Sequence, residues 1–100
     1  MIKHMVMWTL KDQAEGHTKA ENQAAVKAAL ETLPGLIPFI VKLKVVTEFV
    51  AVDPAVDVLL YTEFKSKEDL KAYAVHPEHV KVADFNSKVV SGRRVLDYED

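Results

Sequence analysis

The chain has 100 residues, 49% hydrophobic and 28% charged, which is the composition and size of one ordinary globular domain. Thirteen Lys and Arg against fifteen Asp and Glu leave a net charge of -2, with neither sign gathered into a block; this argues against nucleic acid or an anionic membrane as partner. Cysteine is absent, which excludes disulfides, a thiol nucleophile and thiolate metal ligands. No apolar run approaches the roughly 20 residues that span a bilayer, and Lys3 and His4 interrupt the apolar start, so we expect a soluble cytoplasmic protein without a targeting signal.

Residues 2 to 10 alternate Ile2, His4, Val6, Trp8 and Leu10 on one face with Lys3, Met5, Met7 and Thr9 on the other, the period of a strand. A polar stretch from Lys11 to His17 leads to Thr18, with Glu21 three residues on, the spacing of a capping box that opens a helix. Val26, Leu30 and Leu33 then form one apolar stripe. The run Leu33-Pro34-Gly35-Leu36-Ile37-Pro38 is expected to end that helix, since proline cannot continue it and glycine tolerates the exit.

The second strand is predicted over Phe39 to Thr47, with Phe39, Val41, Leu43 and Val45 facing one way; it is the more one-sided strand, which places it nearer an edge. A third strand is predicted over residues 56 to 64, with Val56, Val58, Leu60 and Phe64 opposing Leu59 and Tyr61. Ser66 and Asp69 repeat the Ser/Thr-x-x-acid start ahead of a short helix carrying Leu70, Tyr73 and Ala74. Pro77 restarts a helical segment whose apolar contacts come from Val80, Val82, Ala83, Phe85, Val89 and Val90. Residues 93 to 98 close the chain as a fourth strand.

The order strand, helix, strand, strand, helix, strand is a split βαβ arrangement, two helices covering one face of a four-stranded antiparallel sheet. Strands one and three are nevertheless apolar on both faces. Leaving Val6, Trp8, Val58 and Leu60, or the residues opposite them, in water forfeits about 1.5 to 3 kcal/mol for each large side chain. A second copy of the chain is the most economical cover, giving an isologous dimer with a curved, barrel-like interior.

Chemistry is concentrated in Tyr73-Ala74-Val75-His76-Pro77-Glu78-His79, where two of the four histidines and one of the three tyrosines fall within seven residues. Histidine, with an unperturbed pKa of about 6.5, exchanges protons near neutrality, so two beside a phenol form a candidate acid/base site. The same stretch also reads as a plain helix junction, with Pro77 in a first turn and His76 at the boundary. His4 shares a strand face with Val6 and Trp8, and is read either as lining a cavity or as a hydrogen-bonded interior histidine. A metal site joining His76, His79 and His4 is the weaker reading, because no carboxylate is placed as third ligand. His17 lies in a polar loop and is expected to be solvated. Trp8 and Phe85 are read as cavity wall or core, not as a cofactor platform, and only three glycines offer no loop to cradle phosphates. No metal and no cofactor are expected.

The start Met1-Ile2-Lys3-His4, the Leu33-to-Pro38 turn, Tyr61-Thr62-Glu63-Phe64-Lys65-Ser66, the Tyr73-to-His79 motif and the closing Val95-Leu96-Asp97-Tyr98 together resemble the stress-responsive A/B barrel (Dabb) family, along nearly the whole chain. The resemblance implies one domain over residues 1–100, an α+β ferredoxin-like βαββαβ subunit that forms a dimeric α/β barrel. It implies no single activity. Some plant members are polyketide cyclases in which a tyrosine and the second histidine of the motif act as the acid/base pair; those positions are Tyr73 and His79 here, and His4 matches a cavity-facing histidine of the first strand. Cofactor-free oxygenases share the barrel as well. The reading that emerges is a homodimer with an apolar pocket between sheet and C-terminal helix, Tyr73 and His79 as candidate catalytic groups, and His4, Trp8, His76 and Phe85 as candidate ligand contacts. Its ligand is small and largely apolar, with a carbonyl or hydroxyl group.

Overall fold

The period-2 pattern at the start folds as expected into β1 (Ile2–Leu10), whose residues alternate between buried and half-buried along its full length. The structure is a computed structural model that describes residues 1–100. After β1 come β2 (Gln13–Ala14), β3 (His17–Thr18), α1 (Lys19–Glu31), α2 (Leu33–Leu36), β4 (Lys42–Val46), β5 (Val58–Phe64), α3 (Lys67–Val75), α4 (Pro77–Val89) and β6 (Val90–Glu99). The main sheet is antiparallel in the order β4-β5-β1-β6. Apart from the miniature β2-β3 hairpin and the one-turn α2, this is the ferredoxin-like α+β arrangement read from the sequence.

Local signals explain the boundaries. Thr18 and Glu21 close a reciprocal capping box, Glu21 N donating to Thr18 Oγ1 at 3.3 Å and Thr18 N to Glu21 Oε1 at 2.9 Å. The polar stretch ahead of it is not a plain loop: Glu15 (φ 53°) and Gly16 (φ 77°) make a two-residue turn that pairs β2 with β3, a geometry that needs positive φ at both positions. Pro34 does not simply stop a helix; it lies in the first turn of α2, where its missing N–H has no intrahelical partner to lose.

Three strand boundaries differ from expectation. β4 starts at Lys42 and not at Phe39, because Ile40 N is held in a turn by Ile37 O at 3.2 Å. The turn breaks the period: Ile40 is buried while Val41 is exposed, and Phe39 packs half-buried against the core from outside the strand. β5 starts at Val58, two residues later than read, after Asp57 has tied the loop to β1 by donating its N–H to Trp8 O at 2.8 Å and accepting Leu10 N at 2.7 Å. β6 begins at Val90, directly after α4 and three residues earlier than read; Val90 is therefore a strand residue, not a helical one. A register shift opposite Thr9 and Leu10 absorbs the sharp exit, the usual work of a bulge.

The helices lie on one face. Val26 and Leu30 of α1, Leu33, Tyr73 of α3 and Val89 of α4 join Val6, Trp8, Val58, Leu60 and Phe64 in a single core. Val6, Trp8, Val58 and Leu60 are thus the helix-covered set. The opposite face presents Met5 and Met7 of β1, Leu59 and Tyr61 of β5, and, by strand register, Leu96 and Tyr98 of β6, the last two 52% and 41% exposed. Lys3, Tyr61 and Glu63 form a polar corner on that face, Lys3 Nζ donating to Tyr61 Oη at 3.1 Å and Tyr61 Oη to Glu63 Oε2 at 2.6 Å. β4 is an edge strand as expected, and β6 is the other edge.

Candidate active site in the cavity between sheet and C-terminal helix

A cavity of about 430 Å³ lies between the sheet and helices α3 and α4, and ten of its fifteen lining residues are hydrophobic. That is within the usual range for small-molecule sites, as is an apolar lining with few polar groups. β1 contributes His4, Val6 and Trp8; α3 contributes Tyr73; α4 contributes His79, Val82, Ala83, Asn86 and Ser87. The α4 residues fall at i, i+3, i+4, i+7 and i+8, one face of a helix.

Tyr73 is 1% exposed, and no group of the protein hydrogen-bonds its hydroxyl. Burial raises its pKa well above the ordinary phenol value, so it stays protonated and can donate. Its ring packs against His79 with centroids 4.3 Å apart, Phe64 at 5.0 Å and His4 at 6.0 Å. His79 touches Tyr73 by ring contact rather than by a hydrogen bond. Its Nδ1 faces the carbonyl of Ala74 at 3.0 Å; a carbonyl only accepts, so Nδ1 carries the proton and the neutral ring keeps its lone pair on Nε2. Burial lowers the His79 pKa, with the Ala74 carbonyl opposing it and the charges of His4, Arg93 and His76 adding to the depression. The ring is neutral at pH 7 and able to take a proton.

His4 is 8% exposed and its Nδ1 pairs with Asp97 Oδ1 of β6, its register partner. A carboxylate on Nδ1 fixes the ring's orientation and leaves Nε2 for another partner. Both readings of His4 therefore apply together: it lines the cavity and is hydrogen-bonded inside the fold.

The structure brings His4, Trp8, Tyr73 and His79 together around the cavity but leaves out His76 and Phe85. His76 is the C-cap of α3 and the N-cap of α4 at once; its Nδ1 accepts the Glu78 N–H at 3.1 Å and its ring meets Phe39 edge-on at 6.4 Å. Capping engages His76 Nδ1, and the residue is not part of the cavity lining. Phe85 packs half-buried against the core from another side of α4. No three His, Cys, Asp or Glu side chains are placed to hold a metal ion. Asn86 and Arg93, which line the cavity, were missed in the sequence. Asn86 stands seven residues after His79, on the same helical face, a spacing that could have found it; Arg93 needed the register of β6 against β1.

A four-stranded sheet with helices on one face, enclosing a cavity edged by His4, Tyr73 and His79, defines a ferredoxin-like cavity protein. The model of the stress responsive A/B barrel (Dabb) domain matches residues 2–100, and the chain belongs to that family. It is 38% identical over 40 residues to the stress-response A/B barrel domain-containing protein DABB1 of Arabidopsis thaliana, a match spanning 40% of this chain and 19% of that one. Among solved structures, a dimeric protein of unknown function with a ferredoxin-like fold from Bacteroides fragilis superposes with a TM-score of 0.86 at 32% identity, covering 99% of this chain and 95% of its own. Hydroxynitrile lyase from Passiflora edulis superposes with a TM-score of 0.80 at 18% identity, covering 97% and 90%, which shows a shared fold. No helix is long and apolar enough to cross a membrane.

Proposed function

We propose that this chain is a homodimeric, cytoplasmic Dabb protein with a stress-related role, one domain over residues 1–100, whose cavity binds a small, largely apolar molecule bearing a carbonyl or hydroxyl group, without a cofactor. The observation that carries this is the Tyr73 hydroxyl, buried in an apolar cavity with no protein partner. A buried polar group left unpaired costs about 1–3 kcal/mol, and a ligand oxygen that accepts from it recovers that cost. Trp8, Val82 and Leu70 supply apolar contact. The dimer is supported by the uncovered face of Met5, Met7, Leu59 and Leu96 and by the dimeric state of the Bacteroides fragilis relative. A thermal-shift screen of keto, phenolic and alcoholic compounds tests the reading. Compounds should raise the melting temperature of the wild type and lose most of that effect in Tyr73→Phe; equal shifts in both proteins refute it.

A second reading is favoured by the neutral His79 ring packed, tilted, against a protonated Tyr73. In it, the cavity is a cofactor-free acid/base site of the cyclase type: His79 Nε2 removes a proton beside a carbonyl and the Tyr73 hydroxyl holds the developing oxyanion. Turnover of a bound keto compound that vanishes in His79→Ala, with binding retained, distinguishes it from simple binding.

A further inference from the structure

The geometry points to Arg93 as an anion-recognising residue: the cavity takes an organic carboxylate, its apolar body inside and its charged head on the guanidinium. This rests on the cavity being a ligand site, as proposed above.

Arg93 of β6 is the register partner of Trp8, faces the same side of the sheet, and lines the cavity. It is exposed, whereas Tyr73 and Asn86 are buried, so Arg93 stands at the mouth and the other two stand deep. None of the ion pairs in the molecule includes it. Asp97, the acidic residue two positions beyond Val95 on the same strand face, is already engaged by His4. No acidic side chain lines the cavity. The charge of Arg93 nonetheless acts inside, since it helps to depress the His79 pKa.

A guanidinium without a counterion at the rim of an apolar cavity is free to pair, and its planar fork of N–H donors matches the two oxygens of a carboxylate. One such fork suits a monoanion. The deep end sets the ligand's direction: Asn86 Oδ1 is buried, has no protein partner and is an acceptor, so it calls for a donor, which a carboxylate lacks. A hydroxyl is accommodated there, because it can donate to Asn86 Oδ1 and accept from the Tyr73 hydroxyl. The ligand class is therefore an amphiphilic acid with a neutral polar group at its far end.

The test uses matched pairs that differ only in charge: hexanoate and hexanamide, 4-phenylbutyrate and 4-phenylbutyramide, 8-hydroxyoctanoate and its amide, titrated calorimetrically into the full chain. Each acid is expected to bind about tenfold more tightly than its amide, the scale of one charge-assisted contact. Arg93→Gln should remove that preference while leaving amide affinity unchanged, Arg93→Lys should keep part of it, and Lys81→Gln, a surface cation away from the cavity, should keep all of it. Ala83→Trp, which fills the cavity, should abolish binding of both members. Equal binding of acid and amide in the wild type, or a preference that survives Arg93→Gln, overturns the role of Arg93 and leaves the cavity reading standing. Binding that survives Ala83→Trp, or no binding by any pair, overturns both.

Discussion

Replacing Tyr73 by phenylalanine separates the hydroxyl's contribution to ligand recognition from its contribution to folding. The side chain is 1% exposed and its ring contacts Phe64, His79 and His4, all of which phenylalanine preserves. What is lost is a hydroxyl that no protein group bonds. Burying such a group unpaired costs about 1–3 kcal/mol, so its removal should leave stability unchanged or raise it by up to that amount. For a domain of this size 1 kcal/mol moves the melting temperature by roughly 4–8 °C, an effect that differential scanning calorimetry resolves easily. The expected outcome is a Tyr73→Phe protein that melts at or above the wild-type temperature and binds keto or hydroxyl compounds less well. A melting temperature lower by more than about 5 °C would mean that the hydroxyl holds the fold together, and the ligand argument built on it would fall.

On the open sheet face, Leu59→Asp is expected to dissociate the dimer while leaving a folded chain, whereas Val58→Asp, at a position 0% exposed in the core, should prevent folding; sedimentation and circular dichroism distinguish the two, and a wild type already monomeric at micromolar concentration refutes the dimer. Thr18→Ala removes the half of the capping box in which Glu21 N donates to Thr18 Oγ1, while the Thr18 N–H keeps Glu21 Oε1, and should cost about 0.5–2 kcal/mol in urea unfolding. A Cβ on Gly92 lies 2.8 Å from Thr9 Oγ1, so Gly92→Ala should lose about 1–3 kcal/mol, and adding Thr9→Ala should restore much of it. The folded-state pKa of His79 is depressed below its ordinary 6.5; the unfolded chain then binds the proton first, so the stability His79 contributes is present above pH 6.5 and lost as pH falls below it. Urea titrations between pH 5 and 7, about the ordinary histidine value, should show this slope in the wild type and a shallower one in His79→Gln.

Most of the architecture was legible because it rests on local rules: alternation fixed β1 and β5, and Ser/Thr-x-x-acid spacings marked the starts of α1 and α3. What failed had one local and one non-local cause. Pro38, read only as a helix stop, is the second residue of the turn that Ile40 N closes on Ile37 O and that delays β4, whereas the early start of β6 at Val90 depends on its pairing with Leu10. The alternation revealed two apolar faces but not which one the helices would take. At the site, Tyr73, His79, His4 and Trp8 were visible as residue types on faces. Arg93 was not, because the parity of a strand residue means nothing until its partner in the next strand is known. His76 looked like site chemistry because it is a histidine, yet its ring serves the backbone.

That double cap accounts for much of the motif by itself. One residue ends α3 and begins α4, and His79, in the first turn beyond it, reaches back to the Ala74 carbonyl. The joint therefore sets the angle between the helix that carries Tyr73 and the helix that carries His79, whatever the cavity holds. The elbow alone gives histidine, proline and histidine a structural use. The letters that look catalytic are therefore no mark of a reaction by themselves, and the cavity groups the elbow does not need are Asn86, Arg93 and the hydroxyl of Tyr73.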